Sequence, residues 1–326
     1  MKENQSFKHR IFPALRWIGW ALLVQLILIN ICAAFYAYKL SHFYDKVNQV
    51  PFEEMNIFNR SWRIFTGPKY GKQPVGERPG FVTEEVDLQL KNGDHIQGWY
   101  GKASDSALGT VIFFHGIGGN RNSLVDEAYS FIHKNYNVLL MDFRAHGSST
   151  SSTSTIGYRE GEEVVRCFDH VDARGEKNIY LYGSSMGAVS VLRSIYEYNF
   201  RPRGIILDMP FLSLQDYLEA RARTLGFPKQ PFAFLTTFWL GVERGFNGYK
   251  HNSARYAKAV TCPVLLQWGS LDNFVLKQET DAIYEALGSN KKKLVVYTGA
   301  LHESFLRKDP LKWKLEIEKF VSENNQ

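Results

Sequence analysis

Residues 183–187 read Gly-Ser-Ser-Met-Gly, directly after a predicted strand at 178–182 and directly before a predicted helix at 188–197. This is the G-x-S-x-G arrangement of a nucleophile elbow, in which a serine lies on a sharp turn between a strand and a helix. Such a turn holds Ser185 in a strained backbone conformation and projects its hydroxyl above the edge of the sheet. Because five residues with three fixed recur by chance, the pattern gains its weight from this strand–turn–helix context.

The residues around Ser185 fit the same role. Gly183 and Gly187 leave space where a side chain would collide with the neighbouring strand or helix. The helix that follows presents free backbone N–H groups and the positive end of its dipole to a developing oxyanion. The N–H of Met186, the residue after the serine, is therefore the first predicted oxyanion donor.

A serine hydroxyl is a poor nucleophile unless a base takes its proton, and the expected base is a histidine held by a carboxylate. In open α/β sheets the site lies beyond the carboxyl ends of the strands, so its residues should follow strands directly. His302 and Asp272 each do so. Asp208 also ends a strand and competes as the acid; otherwise we expect it to brace the start of the segment that follows it. The order Ser185, Asp272, His302 favours Asp272.

A second oxyanion donor should come from the loop after an earlier strand. The loop His-Gly-Ile-Gly-Gly-Asn follows the predicted strand 110–114, and the N–H of Ile117 is the predicted donor. Gly116 lets the backbone approach the substrate oxygen, and His115 is expected to hold the loop by hydrogen bonding. A dinucleotide-binding fingerprint is excluded, because G-x-G-x-x-G requires glycine where Arg121 stands.

Strands and helices alternate along the chain after residue 80, which predicts an α/β fold with a mainly parallel, eight-stranded sheet covered by helices on both faces. The turn signal Asn92-Gly93 predicts an opening hairpin and therefore an antiparallel edge. The predicted strands lie at 81–90, 95–102, 110–114, 137–142, 178–182, 204–208, 264–268 and 294–297.

Two segments depart from this alternation of strands and helices. Residues 211–258 are rich in aromatic side chains, which predicts an inserted helical cap. Residues 148–155 are eight consecutive serines and threonines, which predicts a flexible polar loop. Just before that loop, Asp142 and Arg144 are expected to form a structural pair, and His146 is expected to brace the loop.

The N-terminal region predicts a membrane anchor. Residues 17–38 contain no charge and are long enough to cross roughly 30 Å of hydrocarbon as a helix. Basic residues precede them, so the positive-inside rule predicts a cytoplasmic tail at 1–16, a transmembrane signal anchor at 17–38 and an extracytoplasmic remainder. Residues 39–80, which end in many glycines and prolines, are predicted as a juxtamembrane linker, and the catalytic domain is predicted at 81–326.

Three other interpretations of the apolar stretch compete with an anchor. A cleaved signal peptide is possible, because Cys32-Ala33-Ala34 is a poor small-residue cleavage site, but the stretch is longer than a usual signal core. A lipoprotein cysteine at Cys32 is disfavoured by Ile31, which stands where a small residue is normally needed. A buried core helix is disfavoured because the stretch is apolar on all faces.

Composition excludes several classes of function. The chain has 326 residues, of which 44% are hydrophobic, and its 23 Phe, 17 Tyr and 7 Trp argue against a disordered protein. The net charge of +6 comes without a clustered basic face, so nucleic acid is not a predicted partner. The three cysteines form no CxxC or Cys/His cluster, so we expect no zinc site and no structural disulfide. The serine chemistry implies no metal and no cofactor.

Together these motifs resemble the α/β-hydrolase superfamily, in its serine-aminopeptidase-like or monoacylglycerol-lipase-like group, close to the membrane-anchored Bem46-type α/β-hydrolase-domain proteins. The resemblance covers residues 81–321. Its motifs are the His115-Gly116 loop, the Asp-Phe-Arg-Ala-His-Gly-Ser stretch at 142–148, the elbow, Gly-Ser-Leu-Asp at 269–272 and the His302 segment. Ala145 and Leu301 stand where the family commonly has glycine, which puts loop shape in doubt but removes no catalytic group.

The resemblance implies a serine hydrolase that cleaves a carboxylic ester or other acyl bond through an acyl-enzyme, with no cofactor. The expected partners are a small ester or acyl substrate, with lipids as one candidate class, and the membrane through the N-terminal helix. Two alternatives stay open: a serine peptidase or amidase acting on short peptides, and a catalytically silent, membrane-anchored interaction protein. The sequence specifies neither the substrate nor the oligomeric state.

Overall fold

The computed structural model describes residues 2–47, 50–51 and 54–325, and side chains from residue 15 onwards. Its strands are β1 (Phe43–Tyr44), β2 (Tyr70–Gly71), β3 (Val82–Gln89), β4 (His95–Gly101), β5 (Thr110–Phe114), β6 (Asn137–Met141), β7 (Ile179–Ser184), β8 (Gly204–Asp208), β9 (Val264–Gly269) and β10 (Lys292–Tyr297). Its α-helices are α1 (Lys2–Leu40), α2 (Ile57–Thr66), α3 (Val125–Ile132), α4 (Glu160–Ala173), α5 (Met186–Tyr198), α6 (Leu214–Leu225), α7 (Phe232–Arg244), α8 (Ser253–Ala257), α9 (Lys277–Ala286), α10 (Phe305–Lys308) and α11 (Pro310–Asn324).

The main sheet has eight strands in the order β10-β9-β8-β7-β5-β6-β4-β3. Every neighbouring pair is parallel except the two pairs made by β4, which runs antiparallel to β3 and to β6. The predicted α/β architecture, with a mainly parallel sheet and an antiparallel opening hairpin, is therefore confirmed.

Both faces of the sheet are covered, so its central strands are continuous apolar runs rather than alternating ones. Every residue of β5, β6 and β8 is buried. Helices α4, α5, α8 and α9 contribute to the core on one face, and α3 and α11 contribute to the core on the other. The carboxyl ends of β5, β7, β9 and β10 consequently meet at one edge, where the loops that carry the candidate residues begin.

The inserted segment is helical, as predicted. Helices α6 and α7 lie between β8 and β9 and form the cap. Tyr217 and Leu218 of α6 and Leu240 of α7 belong to a third apolar cluster, which also contains Tyr36 and Leu40 of α1. The cap is therefore packed against the C-terminal end of the N-terminal helix as well as against the sheet.

Helix α1 carries the predicted membrane segment. Its Leu15–Leu40 portion is long and apolar enough to cross a membrane, and only 6% of its most apolar window is buried. Most side chains before Cys32 are exposed, so the helix is not the core helix of a soluble domain. Its last turns differ: Ala33, Tyr36, Ala37 and Leu40 are buried against the cap.

The segment predicted as a juxtamembrane linker packs closely on the rest of the chain. β1 pairs in parallel with β2, and the N–H of Phe43 donates to the carbonyl of Ser152 at 2.7 Å. The side chain of Lys39 lies 5.7 Å from the ring of Trp62 on α2, which holds that helix against α1. Residues on both sides of α2 thus pack this segment and α1 against the rest of the chain.

The run of serines and threonines at 148–155 is a loop, as predicted, but part of it is packed into the protein rather than loose. Ser149, Ser154 and Thr155 are buried. The Glu160 carboxylate accepts hydrogen bonds from the Ser154 hydroxyl at 2.7 Å and from the Thr155 hydroxyl at 2.6 Å. Composition alone misled here, because a buried carboxylate needs several donors and short hydroxyl side chains supply them.

Candidate active site

The elbow has the backbone that its sequence predicts. Ser185 has φ +51° and ψ −113°, a conformation that non-glycine residues rarely adopt. Its N–H donates to the carbonyl of Asp208 at 2.8 Å, which fixes the turn to β8. A Cβ atom on Gly187 would lie 2.1 Å from the carbonyl oxygen of Phe114, and one on Gly183 would lie 2.6 Å from the backbone of α5. Only glycine fits at these two positions.

The structure brings Ser185, His302 and Asp272 into one hydrogen-bonded chain. His302 Nε2 lies 3.1 Å from the Ser185 hydroxyl oxygen, and His302 Nδ1 lies 2.8 Å from Asp272 Oδ2. The other carboxylate oxygen, Oδ1, accepts hydrogen bonds from the N–H groups of Phe274 and Val275 at 2.8 and 2.9 Å. Asp272 is buried, so its orientation is fixed. The Nδ1 contact assigns the ring proton to Nδ1 and leaves Nε2 as an acceptor.

Asp208, the competing candidate for the acid, forms no hydrogen bond to His302 among the described residues and has other partners. Its carboxylate accepts hydrogen bonds from the hydroxyl of Tyr182 on β7 and from the side-chain amide of Gln267 on β9, the latter at 2.8 Å. Complete burial raises the pKa of this carboxyl to about 7. We expected Asp208 to brace the start of the cap, and this is wrong: it ties three adjacent strands together. Its backbone carbonyl, as described above, supports the elbow.

Two buried histidines hold the loop that follows β5. His115 Nδ1 donates to the carbonyl of Gly116 at 2.7 Å, and His115 Nε2 accepts from the N–H of Phe143 at 3.1 Å. His146 has the same pattern of hydrogen bonds: its Nδ1 donates to the carbonyl of Arg144 at 2.8 Å, and its Nε2 accepts from the N–H of Gly118 at 3.1 Å. Burial lowers the pKa of His115 to about 4 and that of His146 to about 3. Both rings are therefore neutral near pH 7, as their single-donor hydrogen bonding requires.

The two predicted oxyanion donors flank the serine. Met186 is the first residue of α5, and its side chain is buried beneath the turn. Ile117 lines the cavity in front of Ser185, and a Cβ on the adjacent Gly116 would lie 3.4 Å from the Cβ of Ser185. Within the described ranges, neither the Met186 nor the Ile117 N–H donates a hydrogen bond.

The expected pair of Asp142 and Arg144 is wrong, because each side chain has a different partner. Asp142 is paired with Arg121, whose Nε lies 3.3 Å from its carboxylate. Arg144 pairs instead with Glu163 on α4, donating from its backbone N–H at 2.8 Å as well as from its side chain. The two side chains thus fasten opposite sides of the loop that contains His146, rather than each other.

The two departures from the family pattern have different consequences. Ala145 has φ +63° and is completely buried, so it occupies a left-handed conformation where glycine would be unstrained. Leu301 is half exposed, and its N–H donates to the carboxylate of Glu303 at 3.0 Å. Neither residue displaces His302 from Ser185.

A cavity of about 390 Å³ opens in front of the serine. Its walls include Ser185 and His302, together with Tyr217 and Arg221 from the cap and Phe274 from the loop after β9. Tyr217 is one of the aromatic residues expected in the cap, whereas Arg221 was not predicted as a site residue. Their spacing of four residues on one helix places them on the same face, and an arginine within an aromatic-rich segment was the signal that could have found them.

The sheet, the elbow and the hydrogen-bonded Ser-His-Asp chain define the class as α/β-hydrolase. Residues 105–241 and 247–309 match the family described as serine aminopeptidase, S33. The chain belongs to this family of hydrolases, which confirms the predicted superfamily and group.

Named relatives agree with that assignment. The lysophosphatidylserine lipase ABHD12 of Macaca fascicularis is 26% identical over 52% of this chain and 43% of its own length. The protein bem46 of Schizosaccharomyces pombe is 22% identical over 67% of this chain and 70% of its own. Among solved structures, the Pyrococcus furiosus esterase Pf2001 superposes with a TM-score of 0.65 and 22% identity, covering 78% of this chain and 99% of that one.

Proposed function

We propose that this hydrolase is a membrane-anchored serine esterase that uses Ser185, His302 and Asp272 as its catalytic triad. The observation that carries the proposal is the chain of contacts from the serine hydroxyl to His302 at 3.1 Å and from His302 to the buried carboxylate at 2.8 Å. This is the arrangement that activates a serine for attack on an acyl carbon.

In the acylation step, Ser185 Oγ attacks the carbonyl carbon of an ester while His302 Nε2 takes the hydroxyl proton. Asp272 holds the imidazole in the tautomer that leaves Nε2 free, and it stabilises the imidazolium that forms. The negative oxygen of the tetrahedral intermediate accepts hydrogen bonds from the N–H groups of Ile117 and Met186. The imidazolium then gives its proton to the leaving alcohol as the ester C–O bond breaks.

In the deacylation step, water takes the place of the alcohol. His302 removes a proton from the water as its oxygen attacks the acyl-enzyme carbonyl, and the same two N–H groups hold the second oxyanion. Collapse of this intermediate returns the proton to Ser185 Oγ and releases a carboxylic acid. No step in this sequence requires a cofactor.

Several features support an acyl lipid or a similar acylated small molecule as the substrate. The cap that borders the cavity is packed against α1, which contains the candidate membrane span, and this packing supports a substrate drawn from the membrane. Tyr217 and Phe274 give the cavity aromatic walls of the kind that bind apolar groups. One relative is a lysophosphatidylserine lipase by name. We further propose that α1 anchors the protein with its N-terminus in the cytoplasm.

A peptidase activity is the second candidate, favoured by the name of the family, serine aminopeptidase. An aminopeptidase must bind the free ammonium group of its substrate, which calls for a charged carboxylate near the serine. Glu127, Asp208 and Glu303 line the cavity, so carboxylates that could bind that ammonium group are present; burial raises the pKa of Glu127 and raises that of Asp208 to about 7. Comparing aminoacyl anilides with acyl esters separates the two activities.

The first test is labelling with a fluorophosphonate probe, which reacts with activated serines. Full-length protein in detergent should be labelled by the probe. Ser185→Ala should reduce labelling by roughly 100-fold or more, because the substitution removes the activated hydroxyl that attacks the probe. Ser322→Ala is the matched control, since Ser322 is an exposed serine on α11; it should label like the wild type. A folded wild type that does not label would contradict the esterase proposal and favour the silent interaction protein.

A further inference from the structure

Helix α2, which lies between the candidate membrane span and the main sheet in the sequence, presents large apolar side chains to its surroundings. Ile57, Phe58 and Phe65 are 83%, 75% and 62% exposed. Trp62 and Ile64 on the same helix are exposed as well. A single exposed apolar side chain needs no explanation, whereas a group of large ones on one short helix marks a surface that binds an apolar partner.

The spacing of residues in α2 separates this apolar face from the charges. Phe58 and Phe65 are seven residues apart and therefore lie along one line of the helix, with Trp62 beside them. Arg60 and Arg63 lie on the opposite side, and the helix contains no acidic residue. An apolar face that includes tryptophan, opposite a basic face, is typical of a helix that lies in the plane of a phospholipid surface.

Contacts with α1 fix the direction in which the apolar face of α2 points. The ring of Trp62, on that face, lies 5.4 Å from the ring of Phe35. Thr66, which is off that face, accepts a hydrogen bond from the Lys39 side chain, which also donates to the carbonyl of Gly67 at 3.0 Å. Because Phe35 is one turn deeper in the apolar segment than Lys39, the apolar face of α2 is directed back toward that segment.

The length of the apolar segment sets the height of α2 relative to a bilayer. Leu15–Leu40 has 26 residues, which rise about 39 Å as a helix, whereas the hydrocarbon core is about 30 Å thick. Roughly the last six residues therefore extend beyond the hydrocarbon when the segment begins at the opposite boundary. Phe35 and Lys39 are among these six, so α2 meets α1 at the level where lipid headgroups join acyl chains.

The cap helix α7 presents a second apolar surface near the same end of α1. Its Phe234, Phe238 and Val242 are exposed, and their spacing of four residues places them on one face. Phe232 of α7 contacts the ring of Tyr36 on α1 at 4.8 Å between centroids. A bilayer can cover apolar surfaces on two separate elements at once, whereas a single bound peptide or helix would cover only one of them.

We propose that α2 is an interfacial helix that inserts Ile57, Phe58 and Phe65 into the boundary between headgroups and acyl chains of a phospholipid bilayer. Arg60 and Arg63 then face the lipid phosphates, which guanidinium groups bind through paired N–H groups. This proposal rests on the anchoring by α1 proposed above and is independent of the esterase activity. With two elements in contact with the lipid, the catalytic domain has a defined orientation on the membrane, which a spanning helix alone does not impose.

The test measures how deep single labelled positions lie in a bilayer. Full-length protein with one introduced cysteine, in a cysteine-free background, carries a nitrobenzoxadiazole label and is reconstituted into vesicles of phosphatidylcholine and phosphatidylglycerol. Labels at Phe58→Cys and Phe65→Cys should lose emission by roughly twofold or more to lipids with a nitroxide near the headgroup, because an interfacial helix lies about 5–10 Å into the boundary. Lipids with the nitroxide at the chain end should quench these labels less.

Two further positions and a measurement on unsubstituted protein serve as controls. Leu311→Cys on α11 is the matched control, since Leu311 is 84% exposed, as Ile57 is 83% exposed; its label should not be quenched. Leu23→Cys lies within the candidate span and should be quenched most by nitroxides at the chain end. In the unsubstituted protein, a phospholipid with a photoreactive acyl chain should leave adducts on peptides from α2 and none on peptides from α11.

The outcomes separate this proposal from the two on which the article's function depends. Quenching at Leu23→Cys, with no more quenching at Phe58→Cys than at Leu311→Cys, would overturn the interfacial helix and leave the anchor in place. No quenching at Leu23→Cys would contradict the anchor and the interfacial helix with it, while fluorophosphonate labelling reports separately on the esterase. Labels on α2 that are shielded from the nitroxides, together with crosslinks between two Phe58→Cys chains, would assign the face to a second copy and overturn the proposal.

Discussion

At the scale of single residues, the choice between Asp272 and Asp208 shows what geometry adds to a motif. Both follow strands and both are buried. Asp272 has one oxygen on His302 and the other on two backbone N–H groups, so it can orient an imidazole. Asp208 has its oxygens on Tyr182 and Gln267, and burial raises its pKa to about 7. Asp272 is therefore placed to orient His302, whereas Asp208 links neighbouring strands of the sheet.

We expect Asp272→Asn to lower kcat for ester hydrolysis by about 10²- to 10⁴-fold, because an amide cannot hold His302 in the required tautomer. Asp208→Asn is the matched control, since it changes the same atoms at the end of a neighbouring strand. It should keep kcat within about fivefold. Steady-state hydrolysis of a 4-nitrophenyl ester by both variants, with melting temperatures to check folding, decides the assignment. A greater loss of kcat in Asp208→Asn than in Asp272→Asn would reverse it.

At the scale of elements, helix α1 has two functions along its length. Its first apolar turns are exposed, as a membrane-spanning helix requires, while its last turns form part of the core under the cap. Tyr36 contacts the ring of Phe232 on α7 at 4.8 Å between centroids, and the side chain of Asn30 accepts a hydrogen bond from Trp239 at 3.3 Å. Helix α1 and the cap are consequently one packed unit.

This packing predicts that truncations within α1 have unequal effects. A chain that begins at residue 30 keeps Tyr36 and Leu40 and should retain the melting temperature of the full-length catalytic domain. A chain that begins at residue 45 loses both and should melt at a lower temperature, by roughly 5 °C or more, because each buried side chain contributes about 1.5–3 kcal/mol. Calorimetry of both chains in the same detergent measures the difference. Equal melting temperatures would show that α1 is only a tether.

At the scale of the whole molecule, the catalytic cavity is built where three parts of the chain meet. The sheet supplies Ser185 and His302, the cap supplies Tyr217 and Arg221, and α1 packs behind the cap. Under the anchoring proposed above, α1, which is the candidate membrane span, would hold the cavity next to one surface of the membrane. The side of the membrane on which it lies decides which pool of lipid it meets.

The positive charges that precede the apolar stretch 17–38 predict that the catalytic domain is outside the cytoplasm. Single cysteines at Ser6→Cys and Ser322→Cys, made in a cysteine-free background, report on the two sides. In intact cells a membrane-impermeant maleimide should label Ser322→Cys, which lies on the exposed face of α11, and should label Ser6→Cys only after lysis. The opposite pattern would place the catalytic domain in the cytoplasm.

Local sequence signals were sufficient for the architecture and for the identity of the triad candidates. Strand–helix alternation predicts the parallel sheet, because each apolar run must pair with another and be covered on both faces. The elbow pattern places Ser185 at a turn that needs small neighbours, and chain order favours Asp272 and His302. These are properties of residues close together in sequence, or of a fixed order of elements, and the chain carries them directly.

Contacts between distant segments were decided only by the tertiary structure. Whether Arg144 meets Asp142 or Glu163, whether the serine-rich run at 148–155 is loose or buried, and whether Tyr36 reaches the cap all depend on side chains that pack from elsewhere in the chain. The phenols around Arg221 come from α1, β2 and α6 at once. Burial converts each of these polar groups into one that needs a specific partner, and no local pattern specifies which distant residue that partner is.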